Sequence, residues 1–185
     1  MPQIQLSPLC EADLNDLLVF ELDNRAFFES HINARPADYY SVEGIKAAIA
    51  VALLEAAQDK AYQFLVRSDA GVLVGRTNLT KVRRRHFHSA ELGYRVAQSE
   101  AGNGYASEAV RQVVTVAFGQ LSLARLEASA KPENAGSVKV LQRNAFSQFG
   151  RSTKSFELSG VWYDLLHFER LADAFCEMTF RQGLA

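Results

Sequence analysis

Apolar and polar positions along the chain repeat with two different periods, and the switches between them mark out the elements. "QIQLS" (3–7) alternates and is short, which predicts an opening strand that Pro8 breaks. Through "LCEADLNDLLVFELDNRAFFESHI" (9–32) the apolar residues fall at helical spacing: Leu14, Leu17 and Leu18, then Phe27 and Phe28. One or two short helices with a break near Asp23-Asn24 follow from this. "RPADYY" is a loop, and "SVEGIKAAIAVALLEAAQDK" is a helix that Ser41 can cap. Two strands, "AYQFLVRS" and "VLVGRTNLTKV", flank the turn "DAG", and "HFHSAELGYRVAQ" is the next antiparallel strand.

The helix over 104–120 places Ala106, Ala109, Val110, Val113, Ala117 and Phe118 on one stripe, with Glu108, Arg111, Gln112 and Thr115 opposite. "ARLEASAKP" is then a strand closed by Pro132, and "NAGSVKVLQRN" a short helix for which Asn134 is the natural cap. "AFSQFGRSTKSFELSG" and "VWYDLLHFER" form a strand pair joined at Ser159-Gly160, and "LADAFCEMTF" predicts a C-terminal helix. The order is an α+β pattern around one largely antiparallel sheet.

Composition narrows the class without changing that order. The 185 residues fit one domain over 1–185, with 48% hydrophobic and 22% charged residues as in a globular protein. The net charge of -1 supplies no global field toward nucleic acid or membrane. No apolar run reaches the roughly 18 residues of a membrane span, and the first residues given do not pair a basic n-region with an apolar h-region. Cys10 and Cys176 lie near opposite ends without metal-ligand spacing, so a reduced, cytoplasmic protein with no metal is the simplest expectation. The basic run "KVRRRHFH" reads as a solvated hairpin loop, with docking to acidic protein or ribosomal RNA as the sharper alternative.

The candidate chemistry concentrates in "ELGYRVAQSEAGNGYASEAV" (91–110), where Gly102-Asn103-Gly104 separates a strand from a helix. A plain structural turn is one reading, since Gly tolerates positive φ. A dinucleotide fingerprint fails: its third glycine would fall at Ser107, and the preceding strand belongs to a meander, not to a βαβ unit. A P-loop fails because no Gly-Lys-Ser/Thr follows. The third reading is a pyrophosphate loop, in which unpaired N–H groups and the dipole at the helix start receive an anion.

The surrounding motifs favour that third reading. "GRTNLTKV", "ELGYRVA", "GNGYASEAV", "PENAGSVKVLQRNAF" and "SGVWYDLLHFERL" stand in an order that resembles the GCN5-related N-acetyltransferase superfamily. Within it they resemble the branch that acetylates the N-termini of ribosomal proteins on alanine or serine. The resemblance covers roughly residues 60–170, and each motif alone is weak.

It implies the fold of that family and transfer of acetyl from acetyl-CoA to a primary amine in a ternary complex, without metal. It implies cofactor contacts from Tyr94, Arg95 and Val96 on the strand, from the loop Ala101, Gly102, Asn103, Gly104, Tyr105 and Ala106, and from Asn134 and Ser137. The family's usual Gln or Arg at the first loop position is Ala101 here. A catalytically weak acetyl-CoA binding module is therefore an alternative. So is an aminoglycoside or polyamine acetyltransferase.

Acyl transfer to an amine needs a proton acceptor, a donor for the developing oxyanion and a proton for the leaving thiolate. Glu91 is the candidate base; on a regular strand it shares a face with Gly93 and Arg95. Its structural alternative is a surface ion pair. Ser137 is the candidate donor to the thiolate, against a role in capping its own helix. Tyr105 packs or touches phosphate, and Lys139 and Arg143 either reach the adenosine phosphates or stand on a solvated helix face. Phe27, Phe28, His31, Tyr39, Tyr40 and Trp162 are candidates for walls of the acceptor site. Expected partners are acetyl-CoA and either a protein N-terminus or a small amine, with no membrane or nucleic-acid role, in a monomer or homodimer.

Overall fold

The computed structural model describes residues 2–173. The expected C-terminal helix and Cys176 lie outside them. A seven-stranded sheet runs in the order β1-β2-β3-β4-β5-β7-β6. Its strands are β1 (Ile4–Pro8), β2 (Tyr62–Ser68), β3 (Leu73–Arg83), β4 (Ser89–Val96), β5 (Arg125–Ala130), β6 (Ser147–Leu158) and β7 (Val161–Leu171). Every pairing is antiparallel except β4 with β5. The α+β expectation holds.

Helices cover both faces. On one lie α1 (Leu14–Asp23), α2 (Arg25–Glu29) and α3 (Val42–Ala57), and on the other α4 (Tyr105–Thr115) and α5 (Ala135–Arg143). Coverage on both sides explains the unbroken apolar run of β2. Leu65 joins Leu17, Phe20, Phe28, Ile45 and Ile49, whereas Phe64 joins Leu79, Leu92, Val110, Val113 and Leu141.

Local chemistry sets the boundaries. The Ser41 hydroxyl caps α3 by accepting from the Gly44 N–H at 3.0 Å, and Asn134 caps α5 by accepting from the Ser137 N–H at 3.0 Å. The expected break after Asp23 occurs at Asn24. This buried amide donates to the Phe20 carbonyl at 2.9 Å and accepts from the Gln98 N–H at 2.8 Å, pinning the α1–α2 corner to the end of β4. α4 passes into a π-helical turn over Val116–Gln120.

Two readings of the pattern need correction. Glu108, placed on the polar side of α4, is buried, with its carboxylate held by Arg111 at 2.6 Å and Gln112 at 2.9 Å. The Arg111 guanidinium holds this carboxyl below its ordinary range. In the basic run, Arg84 is not a solvated loop cation. It donates to Asp59 at 2.7 Å and to the Leu121 carbonyl, tying the β3–β4 loop to the end of α3 and the turn after α4.

Candidate active site

β4 and β5 pair over only three positions: Ser89 with Arg125, Ala90 with Leu126 and Glu91 with Glu127. Beyond Glu91 they part, while β4 stays paired to β3 as far as Val96. The strand from Leu92 to Val96 therefore has a partner on one edge only. The opening is a cleft of about 770 Å³, walled by Leu92–Val96 on one side and Ala128–Lys131 on the other.

Each end of the cleft is built by a different set of helices. On the α4/α5 face, Ala101, Gly102, Gly104 and Ala106 meet Asn134, Gly136, Ser137, Lys139 and Arg143. Gly102 and Gly104 hold φ of +84° and +88°, and a Cβ built on Gly102 would meet nothing within 4 Å. The backbone there is open to the cleft. α4 starts at Gly104 with no side chain capping it, so its first-turn N–H groups remain available. With the dipole of an eleven-residue helix behind them, they suit a diphosphate.

Tyr94 points to this face, where its hydroxyl donates to the Ser137 carbonyl at 3.1 Å. Burial pushes its phenol up to about 12, so it acts as a neutral donor. The Ser137 N–H is occupied by Asn134 and its carbonyl by Tyr94, but its hydroxyl makes no hydrogen bond among the described residues. Asn134, not Ser137, caps the helix.

On the α1/α2 face the lining is Phe27, Phe28, His31, Ile32 and Arg95. The Arg95 guanidinium lies 4.8 Å from the Phe28 ring centre and donates to Glu21 at 2.6 Å. Burial is the main cause that lowers this guanidinium to about 10. Further along, Ser129 lines the cleft and bonds His167 Nδ1 at 3.0 Å; His167 Nε2 meets the Ser152 hydroxyl at 2.7 Å.

Of the residues singled out in the sequence, the cleft gathers Tyr94, Arg95, Val96, Ala101, Gly102, Gly104, Ala106, Asn134 and Ser137, with Lys139, Arg143, Phe27, Phe28 and His31. Others lie off it. Glu91 sits at the vertex where β4 and β5 part, half-exposed, its carboxylate 2.9 Å from Lys81 Nζ. The Tyr105 ring packs toward Val66 and Val74. Asn103 bonds Glu100, the rings of Tyr39 and Tyr40 stack edge-on, and Trp162 is exposed at the start of β7.

The sequence reading missed Ser129 and His167. Period-two alternation puts His167 on one face with Leu165, but its partner on β5 depends on a register set across some 40 residues of chain.

The sequence that builds the splayed strands, glycine loop and helix start is matched by a family model. The model, described as the acetyltransferase (GNAT) domain, covers residues 3–147. The chain belongs to the GNAT acetyltransferases. It is 35% identical over 162 residues to the probable N-acetyltransferase YjcK of Bacillus subtilis (strain 168), covering 87% of this chain and 90% of that one. It is 26% identical over 143 residues to the [ribosomal protein uS5]-alanine N-acetyltransferase of Escherichia coli (strain K12), covering 77% and 74%.

Among solved structures it resembles RimJ of Mycobacterium smegmatis in complex with CoA-disulfide. The TM-score is 0.85 at 25% identity, over 92% of this chain and 83% of that one. This GNAT protein is an acetyl-CoA-dependent N-acetyltransferase. No group of His, Cys, Asp and Glu among the described residues is arranged to hold a metal, and none of their helices is long and apolar enough to cross a membrane.

Proposed function

We propose that this acetyltransferase modifies the N-terminal α-amine of a protein, a ribosomal protein being the favoured acceptor, by direct attack in a ternary complex. The observation that carries this over a polyamine acceptor is the lining of the cleft. Among the described residues it includes no Asp or Glu, and its α1/α2 face carries the cation Arg95. A polyamine brings several ammonium groups, which need carboxylates or other acceptors to replace lost water. An α-amine brings one, with a pKa near 8 against about 10.4 for a lysine, so more of it is neutral and nucleophilic at physiological pH. The E. coli relative, by its name, acts on an alanine of ribosomal protein uS5.

In this reading the free edge of β4 from Tyr94 to Val96, the loop Ala101–Ala106 and Asn134 hold the cofactor. Bound acetyl-CoA supplies an activated thioester. The amine forms the new C–N bond as the C–S bond breaks, so one proton must leave nitrogen and one must reach sulfur. The unpartnered Ser137 hydroxyl donates toward the sulfur. Glu91, at the vertex of the splay, takes the amine proton through water. His167 is a second candidate for that step, favoured by its hydrogen bond to Ser129 in the cleft.

A free-thiol release screen against N-terminal peptides, polyamines and aminoglycosides tests the acceptor. Turnover of polyamines with no peptide accepted overturns the reading. Measured from about pH 6 to 9, Glu91→Gln and His167→Gln then identify the base. The true one loses roughly 10²- to 10⁴-fold in kcat/KM together with its acid limb. Unchanged profiles in both remove both from the mechanism.

A further inference from the structure

The α1/α2 wall of the cleft carries more positive charge than its own carboxylates balance. Glu21 is 1% exposed, and one of its oxygens, Oε1, accepts from both Arg76 at 2.5 Å and Arg95 at 2.6 Å. Two guanidiniums thus share one carboxylate. Arg76 has further partners in the Tyr39 hydroxyl at 3.2 Å and in Gln63. Arg35 stacks over Tyr39, 4.7 Å from the ring centre, and adds a third cation to the field at Arg95. The neighbouring carboxylate Glu29 is engaged by Arg25 at 2.9 Å and by Tyr40 at 3.2 Å.

Arg95 is the member of this cluster that lines the cleft. Its side chain is only 18% exposed, so solvent reaches little of it. Among the described residues its Nε and Nη1 make no hydrogen bond, and neither is a sealed-off orphan. The Phe28 ring holds the guanidinium plane from one side. A guanidinium this shielded from water, with its Nε–H and Nη1–H unclaimed, can give a carboxylate a charge-assisted hydrogen bond. Arg95 also lies on the opposite face of β4 from Tyr94, which touches α5 and Ser137. That separates it from the glycine loop, on the side where Phe27, Phe28 and His31 stand.

We propose that Arg95 is an acceptor-recognition residue: it receives a carboxylate carried close to the reacting amine, so the preferred acceptor is a peptide N-terminus with an acidic side chain at its first or second position. This rests on the peptide reading above and narrows it. The same chemistry exists in a free acidic amino acid, and the test separates the two sources.

The test compares peptides beginning Ala-Glu, Ala-Gln and Ala-Lys and the corresponding Glu-first and Gln-first pair, with glutamate and aspartate as small amines, by free-thiol release. Acidic peptides should exceed their amide counterparts by roughly 10- to 100-fold in kcat/KM, mostly through KM, as expected for a hydrogen-bonded charge pair. Lys should rank last. Arg95→Gln, which leaves Glu21 paired with Arg76, should collapse the acidic-to-amide ratio to near one, and Arg95→Lys should restore part of it.

Equal turnover of acidic and amide peptides by the unaltered enzyme overturns the assignment and leaves the peptide reading standing. Turnover of glutamate or aspartate but no peptide keeps the carboxylate site and overturns the peptide. A fall in coenzyme A affinity in Arg95→Gln with the ratio preserved means that Arg95 serves the cofactor, and the proposal fails. If no amine is turned over, calorimetric titration of the same peptides into coenzyme A-loaded protein reads the same ratio, and equal affinities overturn it.

Discussion

Replacing Gly102 with alanine separates the folding role of the glycine loop from its binding role, because the structure holds a matched control. Gly102 and Gly160 have nearly the same backbone, φ +84° and +80°, and a Cβ built on either meets nothing within 4 Å. The steric cost of a left-handed alanine is therefore the same at both, about 1–2 kcal/mol. For a chain of this size that lowers Tm by roughly 2–8 °C.

Only Gly102 lines the cleft. On the proposed reading its new methyl occupies the space in which a phosphate meets the backbone. Loss of one charged hydrogen bond there is worth about 1.5–3 kcal/mol, or roughly 10- to 100-fold in Kd. Thermal melts and calorimetric titration with coenzyme A measure the two effects on the same samples. Equal Tm losses with a weakened Kd in Gly102→Ala alone support the argument. Coenzyme A affinity equal to the unaltered protein's in Gly102→Ala would refute it, as would a parallel loss in Gly160→Ala.

Two further outcomes follow from the hydrogen bonds. Ser137→Ala removes a hydroxyl with no partner among the described residues, so Tm should move by no more than about 2 °C, while kcat falls about tenfold or more. Loss of stability comparable to Asn134→Ala, which removes the cap and about 1 kcal/mol, would return Ser137 to a structural role. Glu108 has its folded-state pKa depressed, first by the hydrogen bond from Arg111. Its contribution is complete above the ordinary glutamate value near 4.3 and is lost as pH falls through the lower folded value. The urea midpoint of the unaltered protein should therefore drop toward that of Glu108→Gln at about pH 3.5 relative to pH 7; a constant gap contradicts the assignment.

The elements and the cleft were legible to different degrees for physical reasons. Periodicity found the strands and α-helices of the described residues, because burial on one face leaves a repeat in the sequence, but not the short 3-10 helix Ala37–Tyr40, which lies in the segment read as a loop; the caps Ser41 and Asn134 announce themselves by residue type. Glycines 102 and 104 were found because φ and space there restrict the residue. What periodicity cannot carry is long-range register. Nothing local indicates that β7 inserts between β5 and β6, that β4 meets β5 for three residues only, or that His167 reaches Ser129.

Buried charge hides in the same way. Glu108 reads as solvent-facing because a polar letter in an amphipathic pattern does not reveal burial, and nothing local marks Glu21 as the carboxylate that Arg76 and Arg95 reach from β3 and β4. Arg84, in a run of like charges, is claimed by Asp59, which lies 25 residues earlier.

The three-residue seam between β4 and β5 has a mechanical consequence. It joins a four-stranded half of the sheet to a three-stranded half, and the open length of that joint is also the cleft. A molecule lodged there spans both halves and takes over backbone contacts that a longer pairing would have made. On the proposed reading the cosubstrate is then a component of the fold as well as of the reaction. Each tenfold rise in free ligand above its Kd adds about 1.4 kcal/mol to the work of pulling the halves apart, so the protein is sturdiest when it is loaded and ready to act.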